Sequence, residues 1–416
     1  MRLFKEASLK TAWAVSVATA VMAGALPAAA QDLPVFRVGV LNDQSGLYSD
    51  IAGLGSVEAA KMAVEDYKPE AKGFRVEIVA ADHQNKTDVG AAITRSWFDQ
   101  QGVDVVADVP TSSIALAVSE IAKAKDKVFL VASAGTSDLT GKACTPNNIH
   151  WTYDTWALAN GTAKAVIGQG GDSWYFMTAD YAFGHSLERD AVEIIKANGG
   201  TVLGSVRTPF QTPDFSSFLI QAQNSRAKII ALANSGGDTV ASVKQAAEFG
   251  VTSGGQKLAG LLVFLTDVHS IGLETAQGLL LTEAFYWDMN PGTRDWTKRF
   301  VQRTNGRYPT MNQAGTYASV LHWMKAVAAM PDKKEARSGQ QAVAAMKAMP
   351  TDDALFGKGS VRADGRTIHD MYLFEVKKPA ESKGPYDYYK LVQTIPGDQA
   401  FRPLATSECP MITAKK

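Results

Sequence analysis

From residue 35 onward the chain alternates short runs of large apolar residues with longer, alanine-rich amphipathic stretches. Helical periodicity appears between the runs, as in 57–67, where apolar residues recur at three- and four-residue spacing until Pro69 ends the pattern. Strands that are apolar on both faces and alternate with helices predict parallel sheets covered by helices on both sides. The pattern starts again near residue 170, which favours two α/β lobes over one large sheet. The runs predicted to be strands lie at 35–41, 74–82, 103–109, 128–134, 174–180, 201–206, 228–234, 258–264 and 278–285.

Small and hydroxylated residues follow three of these strands in the first half of the chain. The segments are "NDQSGLYSDIAGLG" (42–55), "DVPTSSIALAVSE" (108–120) and "ASAGTSDLTG" (132–141). In doubly wound sheets ligands bind outside the carboxyl ends of the strands, where hydroxyl and N–H groups at helix starts also favour anions. Each hydroxyl taken alone is better explained as a helix cap. Three such segments in successive β/α units favour a ligand site at one end of the sheet.

The first thirty residues are typical of a secretory signal peptide. Basic residues near the N-terminus precede an uncharged apolar stretch at 11–26, and "PAAA" provides a cleavage site after Ala30. A membrane anchor is the alternative, but the stretch is short for a membrane span and rich in alanine. The mature chain is therefore expected to begin near Gln31 and to work in the periplasm. No later stretch of eighteen apolar residues lacks a charge, so we expect this mature chain to be soluble.

Charge and motifs exclude several classes of function. The chain has 42 basic and 42 acidic residues, so its charges balance. A nucleic-acid-binding protein would require a clustered basic face, and we therefore expect no nucleic-acid partner. The sequence contains no G-x-S-x-G, H-E-x-x-H or P-loop motif, and "GLGSVE" (53–58) lacks the third glycine of a dinucleotide fingerprint. We therefore expect no cofactor, no metal and no catalytic residues, and an exported α/β enzyme is the least favoured hypothesis.

Cys144 and Cys409 are the only cysteines. In an exported protein two cysteines usually form one structural disulfide, rather than a metal site or a redox pair. Two independent free thiols are the alternative.

Five segments together resemble a known family, and their order and spacing are more specific than any one of them. They are "GVLNDQSGLYSDIAGLGSVEAAKMAVED", "DVVADVPTSSIALAVSEIAKA", "ASAGTSDLTG", "DYAFGHSLERDAVEIIKANGG" and "TPDFSSFLIQAQNSRAKIIALANSGGD". The chain resembles the branched-chain amino-acid (Leu/Ile/Val) class of periplasmic solute-binding proteins that serve ABC importers.

The resemblance implies the type I periplasmic binding protein fold, in which two Rossmann-like lobes with parallel sheets are joined by a hinge of three crossovers. By this resemblance the N-terminal lobe comprises 31–151 and 287–352. The C-terminal lobe comprises 152–286 and 353–405, and 406–416 form a tail. The implied partners are a small carboxylate ligand and the permease subunits of an importer, with the protein itself a monomer.

The resemblance also assigns ligand-binding roles to particular residues. Tyr48 and Phe183 match aromatic residues that flank the ligand, with Phe183 standing where the family usually has a tyrosine. Ser112 or Ser113 matches the serine that binds the ligand carboxylate. Ser133, Ala134, Gly135 and Thr136 match a small segment that binds both ends of an amino acid. The remaining candidates, from the second lobe and the hinge, are Gly236, Asp267 and Trp287.

The class of ligand is left open between an aromatic acid and an aliphatic amino acid. Gly236 and Gly237 remove bulk from the second lobe's side of the cleft, which slightly favours the aromatic acid, and "KACTPNNIHWTYDTWALANG" resembles the subgroup associated with such acids. Asp267 stands near the position of an acid that would bind an α-ammonium group. A periplasmic sensor with the same fold is the main alternative to a transport protein.

Overall fold

The structure, a computed structural model, describes residues 33–414, so the predicted export signal and its cleavage site lie outside the described residues. The first sheet is five-stranded and parallel, with the strand order β2-β1-β3-β4-β5. Its strands are Val35–Asn42 (β1), Arg75–Asp82 (β2), Val105–Asp108 (β3), Val128–Val131 (β4) and Asn148–His150 (β5). The helices between them are Gly53–Tyr67 (α1), Thr87–Gln100 (α2) and Ser112–Ala124 (α3).

The second sheet is four-stranded and parallel, with the order β7-β6-β8-β9. Its strands are Ser173–Ala179 (β6), Thr201–Thr208 (β7), Ile229–Ala233 (β8) and Lys257–Gly260 (β9). The helices of this lobe are Thr155–Gly168 (α4), Ala182–Ala197 (α5), Ser216–Asn224 (α6), Gly237–Glu248 (α7), Leu265–Ile271 (α8) and Leu273–Ala276 (α9). Two parallel sheets with helices between their strands confirm the predicted α/β class. Among the described helices, none is both long and apolar enough to cross a membrane.

The last third of the described chain contributes to both lobes. Its elements are Leu280–Glu283 (β10), Pro291–Arg303 (α10), Met311–Ala329 (α11), Gly339–Lys347 (α12), Thr351–Asp353 (β11), Gly357–Val361 (β12), Thr367–Ile368 (β13), Met371–Val376 (β14), Tyr389–Ile395 (β15), Gly397–Ala400 (α13) and Pro410–Thr413 (α14). Helix α11 packs against α1, and α12 packs against β4, while β14 lies beside β10 and α4. The division of the chain into lobes at the residues given above stays a prediction.

All nine predicted strands are present, but the role of the ninth was predicted incorrectly. Strand β10 pairs antiparallel with β14, and β14 pairs antiparallel with β15, so these three strands form a separate small sheet. The predicted strand at 128–134 ends at Val131, which leaves "ASAGT" as a loop at the end of β4.

A disulfide joins Cys144 to Cys409, with their Cα atoms 5.6 Å apart. This is the pairing expected for an exported chain, and it fixes the C-terminal tail beside the loop that follows β4.

Candidate ligand-binding site

A small cavity, partly open to solvent, lies where the strand ends of the two sheets meet. Two larger grooves lie elsewhere, one near Lys228 and Gly278 on the second lobe and one beside α1 and α10 on the first. Of these three, the small cavity alone combines residues that follow strands of both sheets, which is where this architecture binds ligands. It is lined by Tyr48, Ile51, Pro110, Ser133, Gly135, Tyr153, Tyr181, Phe183, Ser235 and Leu262.

Aromatic rings form the walls of the cavity and connect the two lobes. The hydroxyls of Tyr48, after β1, and Tyr181, after β6, are hydrogen-bonded to each other. Phe210 packs against both rings, with centroid distances of 5.6 Å to Tyr48 and 5.0 Å to Tyr181. Burial raises the pKa of Tyr48 well above its usual value, so its hydroxyl stays protonated and neutral. These faces suit a flat or branched apolar ligand body.

Two glycines allow the lobes to approach each other closely. A Cβ atom on Gly135 would lie 2.8 Å from the ring of Phe183 across the cavity. Gly236 has a φ of 60°, and a Cβ atom there would lie 3.0 Å from both the carbonyl oxygen of Leu47 and the ring of Tyr48. The space left by this second-lobe glycine is therefore filled by the first lobe. It does not enlarge the ligand cavity, so Gly236 does not favour an aromatic ligand over an aliphatic one.

Four helices begin beside the cavity, and none of them has a side-chain cap. They are α1, α3, α5 and α7, whose N-cap residues are Ala52, Thr111, Tyr181 and Gly236. By contrast, Asp154 caps the start of α4, since its Oδ1 accepts the N–H of Ala157 at 2.8 Å. Uncapped N–H groups and the positive ends of helix dipoles favour an anion. These helix starts therefore favour an anion although the lining contains no basic side chain.

The lining residues include no Asp, Glu, Lys or Arg. Three buried acids lie behind the lining. Asp43 accepts the N–H of Tyr48 at 2.8 Å, and burial raises the pKa of Asp108 and of Asp238 to about 6. Asp108 accepts a hydrogen bond from the Ser133 hydroxyl, and Asp238 accepts the N–H of Gln211 at 3.2 Å. An ammonium group in the cavity would thus have no carboxylate in the lining to pair with.

The structure brings four of the sequence-predicted residues to the cavity: Tyr48, Ser133, Gly135 and Phe183. Gly236 lies against Tyr48, and Ser113 lies in the uncapped first turn of α3. Ser112 and Thr136 are fully buried behind the lining.

The polar groups of the residues behind the lining form hydrogen bonds with other residues of the first lobe. The N–H of Thr136 donates to Ser112 Oγ at 3.3 Å, and Thr136 Oγ1 accepts the N–H of Asp138. The carbonyl of Ala134 is bonded to His150 Nε2 at 2.7 Å. The Thr136 hydroxyl thus caps the short turn that begins at Ser137, and the Ser112 hydroxyl accepts an N–H from the loop after β4.

Asp267 and Trp287 are not among the residues that line the cavity. Asp267 is buried at the start of α8, where its Oδ2 accepts the N–H of Phe264 at 2.9 Å. Trp287 packs at the edge of Tyr308, and its indole N–H donates to the carbonyl of Tyr386 at 2.7 Å. Both side chains therefore have hydrogen-bond partners within the protein, and a ligand contact for either one stays a prediction.

Sequence reasoning missed six lining residues: Ile51, Pro110, Tyr153, Tyr181, Ser235 and Leu262. A signal existed for Tyr181, because it lies two residues before Phe183 in "DYAFG", a segment that the family resemblance had already singled out. Among these six residues, Ser235 is the strongest candidate for a hydrogen bond to the ligand. It is 4% exposed, and within residues 33–414 its Oγ has no hydrogen-bond partner. A buried hydroxyl without a partner at the wall of a cavity is a candidate ligand contact.

Comparison with known proteins places these features in a family. The sequence profile described as "Periplasmic binding protein" matches residues 35–384. The chain belongs to this family. A periplasmic binding protein from Burkholderia mallei is 48% identical, with a TM-score of 0.87 over 91% of this chain and 99% of that one.

Two further relatives carry more specific names. A branched chain amino acid ABC transporter periplasmic ligand-binding protein from Burkholderia xenovorans LB400 is 40% identical, with a TM-score of 0.79 over 91% of this chain and 100% of that one. The Leu/Ile/Val-binding protein homolog 6 of Brucella melitensis is 25% identical over 91% of this chain and 96% of its own length. The resemblance to the Leu/Ile/Val class is thus confirmed. The chain is a type I periplasmic binding protein and not an enzyme.

Proposed function

We propose that this periplasmic binding protein is the solute-binding component of an ABC importer, and that its ligand is a small carboxylate with an apolar body and no ammonium group. The protein holds the ligand between its two lobes and delivers it to the permease subunits as a monomer. The segment 1–30 directs export and is removed after Ala30, and the first lobe comprises 31–151 with 287–352.

The observation that carries this proposal is the charge pattern of the cavity. Four uncapped helix N-termini surround a lining that has no charged side chain. An anion is stabilised there by N–H groups and helix dipoles. An α-ammonium group would be buried without a partner, which costs several kcal/mol. An aromatic or branched acid therefore fits the site better than an amino acid.

Ser235→Ala is expected to weaken binding of the carboxylate about ten- to hundredfold, because it removes one hydrogen bond to a charged group. Stability without ligand is expected to change little, since the Ser235 hydroxyl has no partner to lose among the described residues. Isothermal titration calorimetry with benzoate and 3-phenylpropanoate measures the first effect, and urea unfolding measures the second.

Ser119→Ala is the matched control, because Ser119 is equally buried but lies outside the cavity lining. Its Oγ accepts from Asn148 Nδ2 at 2.5 Å, so this variant is expected to lose about 1–3 kcal/mol of stability while keeping the native affinity. The opposite pattern, in which Ser235→Ala loses stability and keeps its affinity, would contradict the proposed role of Ser235.

A further inference from the structure

Ser133, a lining residue, is backed by a buried carboxylate. Asp108 ends β3 and is fully buried. Its Oδ1 accepts from the Ser133 hydroxyl, and its Oδ2 accepts from Asn42 Nδ2 at 2.8 Å. Within the described part of the chain, Asp108 forms no ion pair. The charge of this acid is therefore balanced by hydrogen-bond donors alone.

The backbone at this point is unusual. Asp108 and Val109 have φ values of 80° and 56°, a region that residues other than glycine rarely adopt. Such strain persists only where the surrounding structure fixes it, and it concentrates at functional sites. Here it coincides with the turn that leads from Asp108 to Pro110 in the cavity lining.

The bonds of Asp108 determine which way the Ser133 hydroxyl points. An ionised carboxylate only accepts hydrogen bonds, and a serine hydroxyl has a single proton. Burial raises the pKa of Asp108 to about 6, against the lowering effect of Ser133 and Asn42, so the carboxylate form predominates at neutral pH. With its proton directed to Asp108, Ser133 Oγ has only lone pairs left for the cavity.

We propose that Asp108 is a positioning residue that makes Ser133 a hydrogen-bond acceptor for the ligand, so that the site selects carboxylates that carry a second, donating group such as a phenolic hydroxyl. This inference rests on the proposed function, because it takes the cavity as the ligand site. It adds a specificity that the helix N-termini cannot supply. They recognise the anion, whereas Ser133 recognises a donor elsewhere on the ligand.

The test compares hydroxybenzoates with their methyl ethers, which keep the oxygen but cannot donate. We would titrate the mature protein with benzoate, with 3- and 4-hydroxybenzoate, and with the corresponding methoxybenzoates. The native protein is expected to prefer one hydroxy acid over its methyl ether about tenfold, the value of one typical hydrogen bond. A site that hydrogen-bonds a ligand hydroxyl rejects the analogue that lacks the donor.

Two variants test whether this preference depends on Ser133 and Asp108. Ser133→Ala is expected to reduce the ratio of the affinities for the hydroxy acid and its methyl ether to about one. In D108N the side-chain oxygen is expected to stay with Asn42, because Asn42 Nδ2 is also held by the carbonyl of Gly53 at 2.7 Å. The new NH₂ group then faces Ser133 and turns the serine proton toward the cavity, so the preference is expected to vanish or reverse.

Glu283→Gln is the control for losing a buried carboxylate. Glu283 is bonded to the Tyr389 hydroxyl at 3.1 Å and does not line the cavity, so this variant is expected to keep the native preference.

If D108N does not fold, Ser133→Ala still tests whether the preference depends on the Ser133 hydroxyl. A preference that Ser133→Ala or a folded D108N leaves unchanged, or an equal loss for every acid, overturns the role of Asp108. Native protein that binds benzoate without preferring a hydroxy acid also overturns it and leaves the proposed function standing, whereas failure to bind any of these acids counts against both.

Discussion

Gly236→Ala is expected to bind ligand about ten- to hundredfold more weakly than the native protein. The added methyl group would lie 3.0 Å from the Leu47 carbonyl and from the Tyr48 ring, so it separates the two lobes where they meet beside the cavity. Overpacking at a close contact typically costs 1–3 kcal/mol, and this cost falls on the closed state that retains the ligand. Calorimetry with the best-binding carboxylate gives the change in affinity.

Gly250→Ala is a control for a positive φ without a contact between the lobes. Gly250 has a φ of 63°, and a Cβ atom there has nothing within 4 Å. Gly250→Ala is expected to lose about 1–2 kcal/mol of stability, and Gly236→Ala is expected to lose more, because Gly236 combines a φ of 60° with a ψ of −132°, outside the left-handed helical region. Only Gly236→Ala is expected to lose affinity, and equal affinities in the two variants would show that contact between the lobes at Gly236 does not matter for binding.

Removing the disulfide is expected to have the largest effect on stability. Cys144 and Cys409 are 265 residues apart, and the loop-closure entropy of such a crosslink corresponds to about 5 kcal/mol. The double variant Cys144→Ala/Cys409→Ala is therefore expected to unfold at a much lower urea concentration than the native protein. Because both cysteines are buried, alanine avoids placing hydroxyl groups in an apolar environment.

Reduction of the native protein supplies the matched comparison. Native protein unfolded in urea with dithiothreitol is expected to approach the stability of the double variant, and dithiothreitol is expected to leave the double variant unchanged. A double variant as stable as the oxidised native protein would show that the crosslink contributes nothing. Since neither cysteine lines the cavity, affinity measured well below the unfolding transition is expected to be close to native.

The framework of the fold could be predicted because its signals are local. Each parallel strand is a continuous apolar run, and each helix shows its own periodicity, so nine strands could be located from the sequence. The small antiparallel sheet could not, because β14 gains its partner β10 only when chain segments almost a hundred residues apart meet. The short strand β5 has no apolar run, since "NIH" becomes a strand only through its pairing with β4.

Lining residues of the candidate site could be predicted where they lie in a loop with a recognisable sequence pattern. They could not be predicted where the role of the side chain depends on residues that are distant in the sequence. Tyr48 and Gly135 lie in segments rich in small residues, and both line the cavity. Tyr153 and Leu262 are ordinary apolar positions whose placement depends on how the lobes meet. Asp267 has the residue type for a ligand contact, but its position three residues after Phe264 makes it the partner of a helix start.

Paired ligands test the central claim most directly, because each pair differs only in the ammonium group. Ligand-stripped mature protein would be titrated with phenylalanine and 3-phenylpropanoate, with leucine and 4-methylpentanoate, and with the amides of the two acids. We predict that the better-binding acid exceeds its amino acid by at least about a hundredfold, since the lining offers no partner to a buried ammonium. We also predict that it exceeds its amide by about tenfold or more, since the helix N-termini favour the anion. An amino acid that binds more tightly than its deaminated acid, or an amide that binds as tightly as the acid, would contradict the account.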